Sequence, residues 1–291
     1  MPKDPNALMQ LAARVNGLGS PDMKPWHLKA AYQTFDADGK PKDQGVFEEW
    51  WAGPEKYKLS YSSAGFNQVQ YHNGKDTLMT GDVKWPPMLE GMVAQYLVHP
   101  LPPKSTVETQ KYVANDIKAG KVALTCLRAV LPPPAVAAQA YCFGKDIPAI
   151  RLEMMGRIAF FNDIVRVNGQ YLAKQVQVQS LGRPFLRVDL TALDFIPKVD
   201  DAEFVAPASA TPAPAPPIRV GAGVIAGDRI SGTKPEYPAE ARNARIQGTV
   251  VLDATITKKG TIDDLRVVSG PPTLQQAAMM LYIRGDISRF C

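Results

Sequence analysis

The chain has 291 residues, of which 45% are hydrophobic and 21% are charged, so it is long enough for two domains and apolar enough to bury a core. Its net charge of +5 includes no run of like charge, which does not favour a nucleic-acid-binding surface. The histidines and cysteines show none of the spacings of a metal site, and no GxSxG or ordered nucleophile–base set is found. We therefore predict a protein that is not an enzyme, with no catalytic residues, no metal and no cofactor.

The first residues predict an amphipathic helix rather than a targeting segment. Apolar residues recur there at i, i+3, i+4 and i+7, with Asp4 or Asn6 available as a cap, at Leu8, Leu11, Ala12 and Val15. We favour a helix that packs on a core over one that lies on a membrane surface. No continuous apolar stretch of a secretory signal or of a membrane span is found, so any export signal is expected to lie outside this chain.

Residues 1–206 predict a domain dominated by antiparallel strands. Asp38-Gly39 and Asn73-Gly74 are turn signals between strand-like runs. Near residues 175–190, valine and leucine alternate with polar residues, which is typical of strands that have one buried face and one wet face. The expected fold class is α+β, with an N-terminal antiparallel sheet and a small C-terminal α+β domain.

Two further helices interrupt these strands. Pro86-Pro87 precedes a helical pattern over residues 88–98, because proline suits the first turn of a helix. Ser105 and Glu108 have the spacing of a capping box for another helix, which Gly120 would end. The space between the helices and the sheet can be a solid core or a lipid-sized cavity, and the sequence favours the solid core.

Cys126 and Cys142 enclose fifteen residues that contain a triple proline. In an oxidising compartment they would form a disulfide that closes this loop, and in a reducing one they would be two buried thiols. We favour the disulfide on the condition that the protein is exported.

Residues 207–217 read PASATPAPAPP, in which five of eleven residues are proline and none is charged or aromatic. Such a segment cannot form a core and favours an extended polyproline conformation. We predict a linker there, which separates a domain of residues 1–206 from a second domain of residues 218–291.

The second domain predicts the order helix, hairpin, helix. A short helix begins at Tyr237-Pro238 and ends by Gly248. Alternating strands on either side of a Lys258-Lys259-Gly260 turn follow, and apolar residues then recur at helical spacing from Leu274.

This pattern resembles the C-terminal domain of the energy-transducing TonB family, on the phrase PEYPAEARNARIQGTVVLDATITKKGTIDDLRVVSGPPTLQQAA at residues 235–278. The resemblance implies a periplasmic domain that docks on the TonB-box peptide of an outer-membrane receptor by strand addition, in energy transduction for transmembrane transport. The implied partner-binding residues lie in the YP and R-x-x-G phrases and are Tyr237, Pro238, Arg245, Gln247 and Gly248.

The chain departs from that family at three points. We expect no N-terminal transmembrane anchor, and the linker is only eleven residues long. After the last helix the chain reads LYIRGDISRFC, so we expect the final strand of the family's domain to be missing.

Residues 5–206 resemble the LolA/LolB-type lipoprotein-localisation fold in their element order and in the closing phrase DDAEFVAP. The resemblance implies an antiparallel half-barrel, lidded by helices, that holds acyl chains.

Our first hypothesis is therefore a periplasmic protein with two modules, one for a lipid or lipoprotein and one for an outer-membrane receptor. The alternative is a soluble periplasmic lipid or lipoprotein carrier whose truncated TonB-like tail has no function. No nucleic-acid partner is expected in either case.

Overall fold

The structure is a computed structural model that describes residues 1–20, 22–36, 39–83, 86, 88–130, 139–154, 157–180, 182–214, 237–248, 250–256, 262–269, 271, 273–275 and 277–278. The chain divides into two compact units. The first contains the sheet and helices of residues 1–214, and the second contains the described residues from 237 onward.

The first unit is built on one antiparallel sheet of thirteen strands. In chain order the strands are β1 (Trp26–Phe35), β2 (Pro41–Gly53), β3 (Lys56–Ser63), β4 (Asn67–Asn73), β5 (Asp76–Gly81), β6 (Tyr112–Ala119), β7 (Val122–Ala129), β8 (Ala140–Gly144), β9 (Ile150–Met154), β10 (Ile158–Val167), β11 (Gln170–Ser180), β12 (Arg183–Phe195) and β13 (Thr211–Pro212). Their spatial order is β13-β5-β4-β3-β2-β1-β12-β11-β10-β9-β8-β7-β6, so the sheet is open, with β13 and β6 at its edges. The predicted α+β fold with a large antiparallel sheet is confirmed.

The predicted turn chemistry and alternation account for several of these strands. Asn73-Gly74 connects β4 to β5, where Gly74 has a φ of 63°, a left-handed conformation that glycine adopts without strain. Valines alternate with half-buried glutamines on β11, and Val176 and Val178 are fully buried. Each strand of this kind therefore has one face for the core and one for water.

Three helices accompany the sheet: α1 (Pro5–Val15), α2 (Met88–Val98) and α3 (Lys104–Thr109). Asp4 caps α1 by accepting a hydrogen bond from the amide of Ala7 at 2.9 Å. Helix α1 packs against β6, β11 and α3, and α2 packs against β11 and β12. The predicted first helix thus packs on the sheet, through Leu8, Met9 and Ala12.

The predicted capping box of the third helix is wrong. Helix α3 begins at Lys104 after Pro103, which makes no side-chain cap, so Ser105 lies inside the first turn. The helix ends at Thr109, and Gly120 instead forms the turn between β6 and β7 with a φ of 60°. The spacing of Ser105 and Glu108 is compatible with a capping box, but the helix begins directly after Pro103, one residue before Ser105.

The face of the sheet that meets the helices is called the inner face below. It carries the largest fully buried side chains of the described strands, which pack with those of α1 and α2. The outer face carries mainly half-buried and exposed side chains, apart from a second, smaller buried cluster on β7, β8 and β9 that consists of Leu124, Cys126, Cys142 and Leu152. The two adjacent tryptophans show the division between the faces. Trp51 is buried and stacks on Trp26 at 5.9 Å, whereas Trp50 stacks on His27 at 4.4 Å on the outer face.

A disulfide joins Cys126 on β7 to Cys142 on β8. The two residues lie directly opposite each other in the strand register, and both side chains are buried. Of the two states that the sequence left open, the structure has the cross-linked one. The triple-proline segment between the two strands lies outside the described residues.

Residues 196–214, called the strap below, lead from the end of β12 to the far edge of the sheet. A 3-10 helix, Asp201–Phe204, packs against β3 and β4 and buries Phe204. Asp201 and Glu203 form ion pairs with Lys56 and Lys58 of β3. The ammonium of Lys58 also lies 3.8 Å from the ring centroid of Trp50, so Lys58 is on the outer face. Because the strap pairs with Lys58, it crosses the outer face at β3 and β4.

The strap ends as the edge strand β13, which changes the interpretation of the predicted linker. Thr211 and Pro212 pair with Met79 and Leu78 of β5, and the amide of Ala213 donates to Thr77 O at 2.8 Å. Residues 211–213 of the segment predicted as linker 207–217 therefore belong to the sheet. An extended proline-containing chain fits there because an edge strand needs only half of its amides in the ladder.

We predict that replacing both Cys126 and Cys142 by alanine lowers the free energy of unfolding by about 3 kcal/mol, because the closed loop restricts the unfolded chain. Urea unfolding of the variant and of the wild type, with and without reductant, measures this. Reductant should lower the wild type to the level of the variant and leave the variant unchanged. A wild type that reductant does not affect would contradict a stabilising disulfide.

We predict that Phe204→Ala releases the strap, since truncating a buried phenylalanine typically costs about 3–5 kcal/mol. Proteolysis after Lys198 should become at least about tenfold faster while the sheet stays folded. Val205→Ala is the matched control, because the neighbouring Val205 is 68% exposed. Equal cleavage rates of the two variants would show that Phe204 does not hold the strap.

Candidate functional site

The second unit brings the predicted partner-binding residues into one loop around a short helix, α4 (Ala239–Asn243). Pro238 occupies the N-cap position of α4. The Tyr237 hydroxyl donates to the carbonyl of Ile246, and the Arg242 guanidinium donates to Tyr237 O at 3.4 Å. These bonds join the residue before the helix to the chain that leaves it.

The chain reverses directly after α4. Arg245 has a φ of 51°, in the left-handed region, and the amide of Ile246 donates to Ala241 O at 2.9 Å. Gly248 lies against Pro271, whose Cγ would be 2.7 Å from an added Cβ, so a larger residue would force this contact apart. Tyr237, Arg245, Gln247 and Gly248 are all exposed. The structure thus places the five residues on one accessible loop, and their role in binding stays a prediction.

A hairpin follows this loop, formed by β14 (Val251–Ile256) and β15 (Ile262–Ser269). Within the residues that the structure describes, each of these strands pairs only with the other. An unpaired strand edge presents backbone N–H and C=O groups that another strand can bind. The predicted Lys258-Lys259-Gly260 turn and the last eleven residues lie outside the described residues. Leu274, in the predicted last helix, is buried.

None of the helices in the described ranges is both long and apolar enough to cross a bilayer. In the same ranges, no three His, Cys, Asp or Glu side chains converge as metal ligands do.

The most unusual titratable group of the first unit is Glu49, on the inner face of β2. It is only 3% exposed, and it forms no hydrogen bond or ion pair with the described residues. Its nearest cross-strand neighbours are Leu28 and Leu59. Burial raises the pKa of the Glu49 carboxyl from 4.5 to about 8, because the charged form is poorly solvated there.

Four aromatic side chains occupy the positions around Glu49 on the same face. Phe47 and Trp51 lie two residues before and after it on β2, and Tyr61 and Tyr57 lie opposite them on β3. Phe47 and Tyr61 are in ring contact at 5.1 Å. The charge of Glu49 raises the pKa of both tyrosines in addition to the effect of burial. We call these five residues the Glu49 cluster.

A hydrogen-bonded row of polar side chains lies beside this cluster, on the inner face of β4. His72 contacts Gln70 Oε1 at 3.2 Å and Thr77 Oγ1 at 3.0 Å, and Gln70 donates to Gln68 Oε1 at 2.6 Å. His72 also stacks on Tyr57 at 4.0 Å, and burial lowers its pKa to about 4. The side chains of this row form hydrogen bonds with one another, whereas Glu49 forms none with the described residues.

Glu49 is not among the predicted site residues, although the sequence contains the signal for it. Glu48 and Glu49 are adjacent on a strand, so one of them has to face inward. Phe47 and Trp51 then identify the inward residue as Glu49, because they share its parity. Glu48 accordingly faces outward and pairs with His27 at 2.9 Å and Lys29 at 3.2 Å.

An open groove of about 680 Å³ lies near the β1–β2 turn and β12. Two of its polar side chains are paired, since Arg187 binds Asp189 at 2.7 Å and the Gln33 amide donates to Asp43 O at 2.7 Å. The buried hydroxyl of Tyr32, which also lines the groove, has no hydrogen-bond partner among the described residues.

Comparison with protein families identifies the second unit. Residues 233–283 match the family described as Gram-negative bacterial TonB protein C-terminal. The predicted TonB resemblance of this segment is confirmed. Among proteins with curated functions, none matches the chain significantly.

Solved structures similar to this chain include a LolA superfamily protein from Nitrosomonas europaea, with 10% identity, a TM-score of 0.45, and coverage of 70% of this chain and 99% of that one. A putative outer membrane lipoprotein-sorting protein domain from Vibrio parahaemolyticus has 10% identity and a TM-score of 0.45, over 68% of this chain and 95% of its own. A DUF1329 family protein from Desulfovibrio piger has 14% identity and a TM-score of 0.45, over 70% and 98%.

We predict that Glu49→Gln flattens the pH dependence of stability. A carboxyl whose pKa is raised on folding stabilises the fold when protonated, and this contribution is lost as the pH rises from the unfolded value of 4.5 through about 8. The wild type should lose about 1.4 kcal/mol per pH unit from this group in that window, and the variant should not. Chemical unfolding at intervals between pH 5 and 8.5 measures the difference.

The other titratable groups near the cluster are present in both proteins, so their contributions cancel in this comparison: Tyr57, Tyr61, His72 and Glu90. The same holds for Glu153, whose burial raises its pKa to about 7. Glu48→Gln, one residue away on the outer face, is the matched control and should retain the wild-type slope. Identical slopes for Glu49→Gln and wild type would contradict a buried, unpaired carboxyl.

Proposed function

We propose that this chain is a non-enzymatic protein of the bacterial periplasm with two binding modules. Its C-terminal module docks on outer-membrane receptors in energy transduction for transport, and its N-terminal sheet module binds a lipid or lipoprotein. The observation that carries the proposal is the match of residues 233–283 to the TonB C-terminal family, on a segment whose strands, among the described residues, pair only with each other.

The docking step follows from the backbone of this hairpin. An extended peptide added beside β15 (Ile262–Ser269) gains a row of main-chain hydrogen bonds that are largely independent of its sequence. The exposed loop with Tyr237, Arg245 and Gln247, which precedes β14 in the chain, would supply side chains for specificity. Arg245 and Gln247 add a cation and an amide that suit a polar receptor peptide.

The lipid-binding role of the sheet module is supported by the LolA/LolB-type resemblance of residues 5–206 in element order. It is also supported by the composition of the inner face, which combines a broad apolar surface with a few buried polar groups. Small-molecule sites usually have this composition, because apolar area gives affinity and a few polar groups give orientation. The disulfide between Cys126 and Cys142 suits an oxidising compartment such as the periplasm.

The docking proposal is tested with the full chain and a synthetic TonB-box peptide. In an added strand, only every second peptide N–H points toward the protein. N-methylation of those residues should weaken binding by at least about tenfold, whereas N-methylation of the intervening residues should change it by less than about twofold. Isothermal titration measures both peptides, and the intervening set is the matched control.

Amide hydrogen exchange then locates the contact. Binding should slow exchange in β15 or β14 and leave β6, an edge strand of the first unit, unchanged. Equal effects of the two N-methylated peptides would exclude strand addition. Absence of binding by the unmodified peptide would favour the alternative function, a lipid or lipoprotein carrier.

A further inference from the structure

We propose that the Glu49 cluster is a binding site for the ammonium group of an amphiphilic ligand, such as a lipid with an amine-bearing headgroup. The inference rests on the proposed lipid-binding role of the sheet module and adds the chemical class of the headgroup. It is carried by the position of one carboxyl, by the rings around it and by the apolar face on which they lie.

Glu49 lacks a partner among the described residues. Buried carboxylates in proteins are almost always paired with a cation or hydrogen-bonded, because a lone buried charge is strongly destabilising. Glu49 has neither kind of partner among the described residues, whereas Gln68 and Gln70 on the same face are hydrogen-bonded. A ligand that carries a cationic donor would complete this site.

Aromatic rings are arranged around the Glu49 carboxyl. Phe47, Trp51, Tyr57 and Tyr61 surround Glu49 in the strand register, two on its own strand and two on the next. Aromatic faces attract ammonium groups through the negative potential of their π systems, most strongly where water is excluded. A carboxyl within four rings is therefore complementary to an ammonium.

The protein already shows the same chemistry on its outer face. The ammonium of Lys58 lies 3.8 Å from the ring centroid of Trp50 and is paired with the carboxylate of Glu203. On that face the cation, the ring and the carboxylate all come from the chain itself. On the inner face, the described residues supply the rings and the carboxyl but no cation in contact with Glu49.

The apolar part of the inner face bears on the rest of the ligand. The inner face beyond the cluster continues through apolar side chains of β1, β12 and β11, including Leu28, Val188 and Val176. Because these side chains are buried against the helices, an acyl chain would replace helix contacts there, whereas a freely soluble amine would leave the apolar face unused. The observations therefore favour an amine-bearing lipid over a small amine.

The test uses the full chain and two lysolipids that have the same acyl chain, lysophosphatidylethanolamine and lysophosphatidylglycerol. Both carry the phosphate, but only the first carries an ammonium. Isothermal titration below the critical micelle concentration should give an affinity at least about tenfold higher for lysophosphatidylethanolamine. Glu49→Gln should reduce this preference to less than about twofold while retaining affinity for lysophosphatidylglycerol.

Glu48→Gln is the control, since it removes a carboxylate from the same strand on the opposite face, and it should keep the wild-type preference. Free ethanolamine at the same concentrations should not compete. Competition by ethanolamine would identify a small amine as the ligand and overturn the lipid assignment.

The outcomes separate this inference from the function on which it rests. If both lysolipids bind the wild type equally, or if Glu49→Gln keeps the preference, the ammonium site is excluded and the lipid-binding role stands. If neither lysolipid binds, the lipid-binding role fails, and the ammonium site fails with it. Circular dichroism and tryptophan fluorescence of each variant establish that it is folded.

Discussion

Exclusion of water from the inner face of the thirteen-stranded sheet is the constraint on which the first unit depends. Because strand side chains alternate between faces, each strand has a single register that directs its apolar residues toward α1 and α2. Phe47, Trp51, Val176 and Val188 follow this rule and are buried. Glu49 obeys the same geometry, which is why a carboxyl lies within an otherwise apolar face. A buried carboxyl opposes the apolar burial that stabilises this fold, and groups of this kind are typical of functional positions.

The strap shows how the chain leaves this sheet. It crosses the outer face, where ion pairs with β3 and the burial of Phe204 hold it, and it then pairs with β5. Residues 211–213 of the proline-rich segment 207–217 are therefore held at a sheet edge. Under the proposed function, tension on that segment would act first on the short β13 pairing and then on the 3-10 helix, before it reaches the central strands.

Under the proposed function, the two modules would use different physical means to bind a partner. The C-terminal unit would offer backbone hydrogen bonds along a strand edge, which accept many sequences. The Glu49 cluster would offer a buried carboxyl among rings, which would discriminate between headgroups because desolvation makes a mismatch costly. A protein that combined them would be selective for the lipid that it holds and tolerant of the receptor peptide on which it docks. The β6 edge at the far end of the sheet carries Asp116, paired with Lys145, and such edge charges discourage unintended strand pairing.

Local sequence determined a large part of this protein. Alternation on β11, the Asn73-Gly74 turn, helix α1 with its Asp4 cap and the TonB-type phrase of residues 235–278 could all be predicted, because each depends on neighbours a few residues apart. The misplaced cap of α3 shows the limit of local spacing, since Ser105 and Glu108 fit a capping box although the helix already begins at Lys104. Only the tertiary structure decided that β1 pairs with β12, that residues 211–213 join the sheet at β5, and that Glu49 has four rings around it and no partner among the described residues. These features arise from strands far apart in the chain, and their pairing is selected by the burial of a whole face, which no single segment encodes.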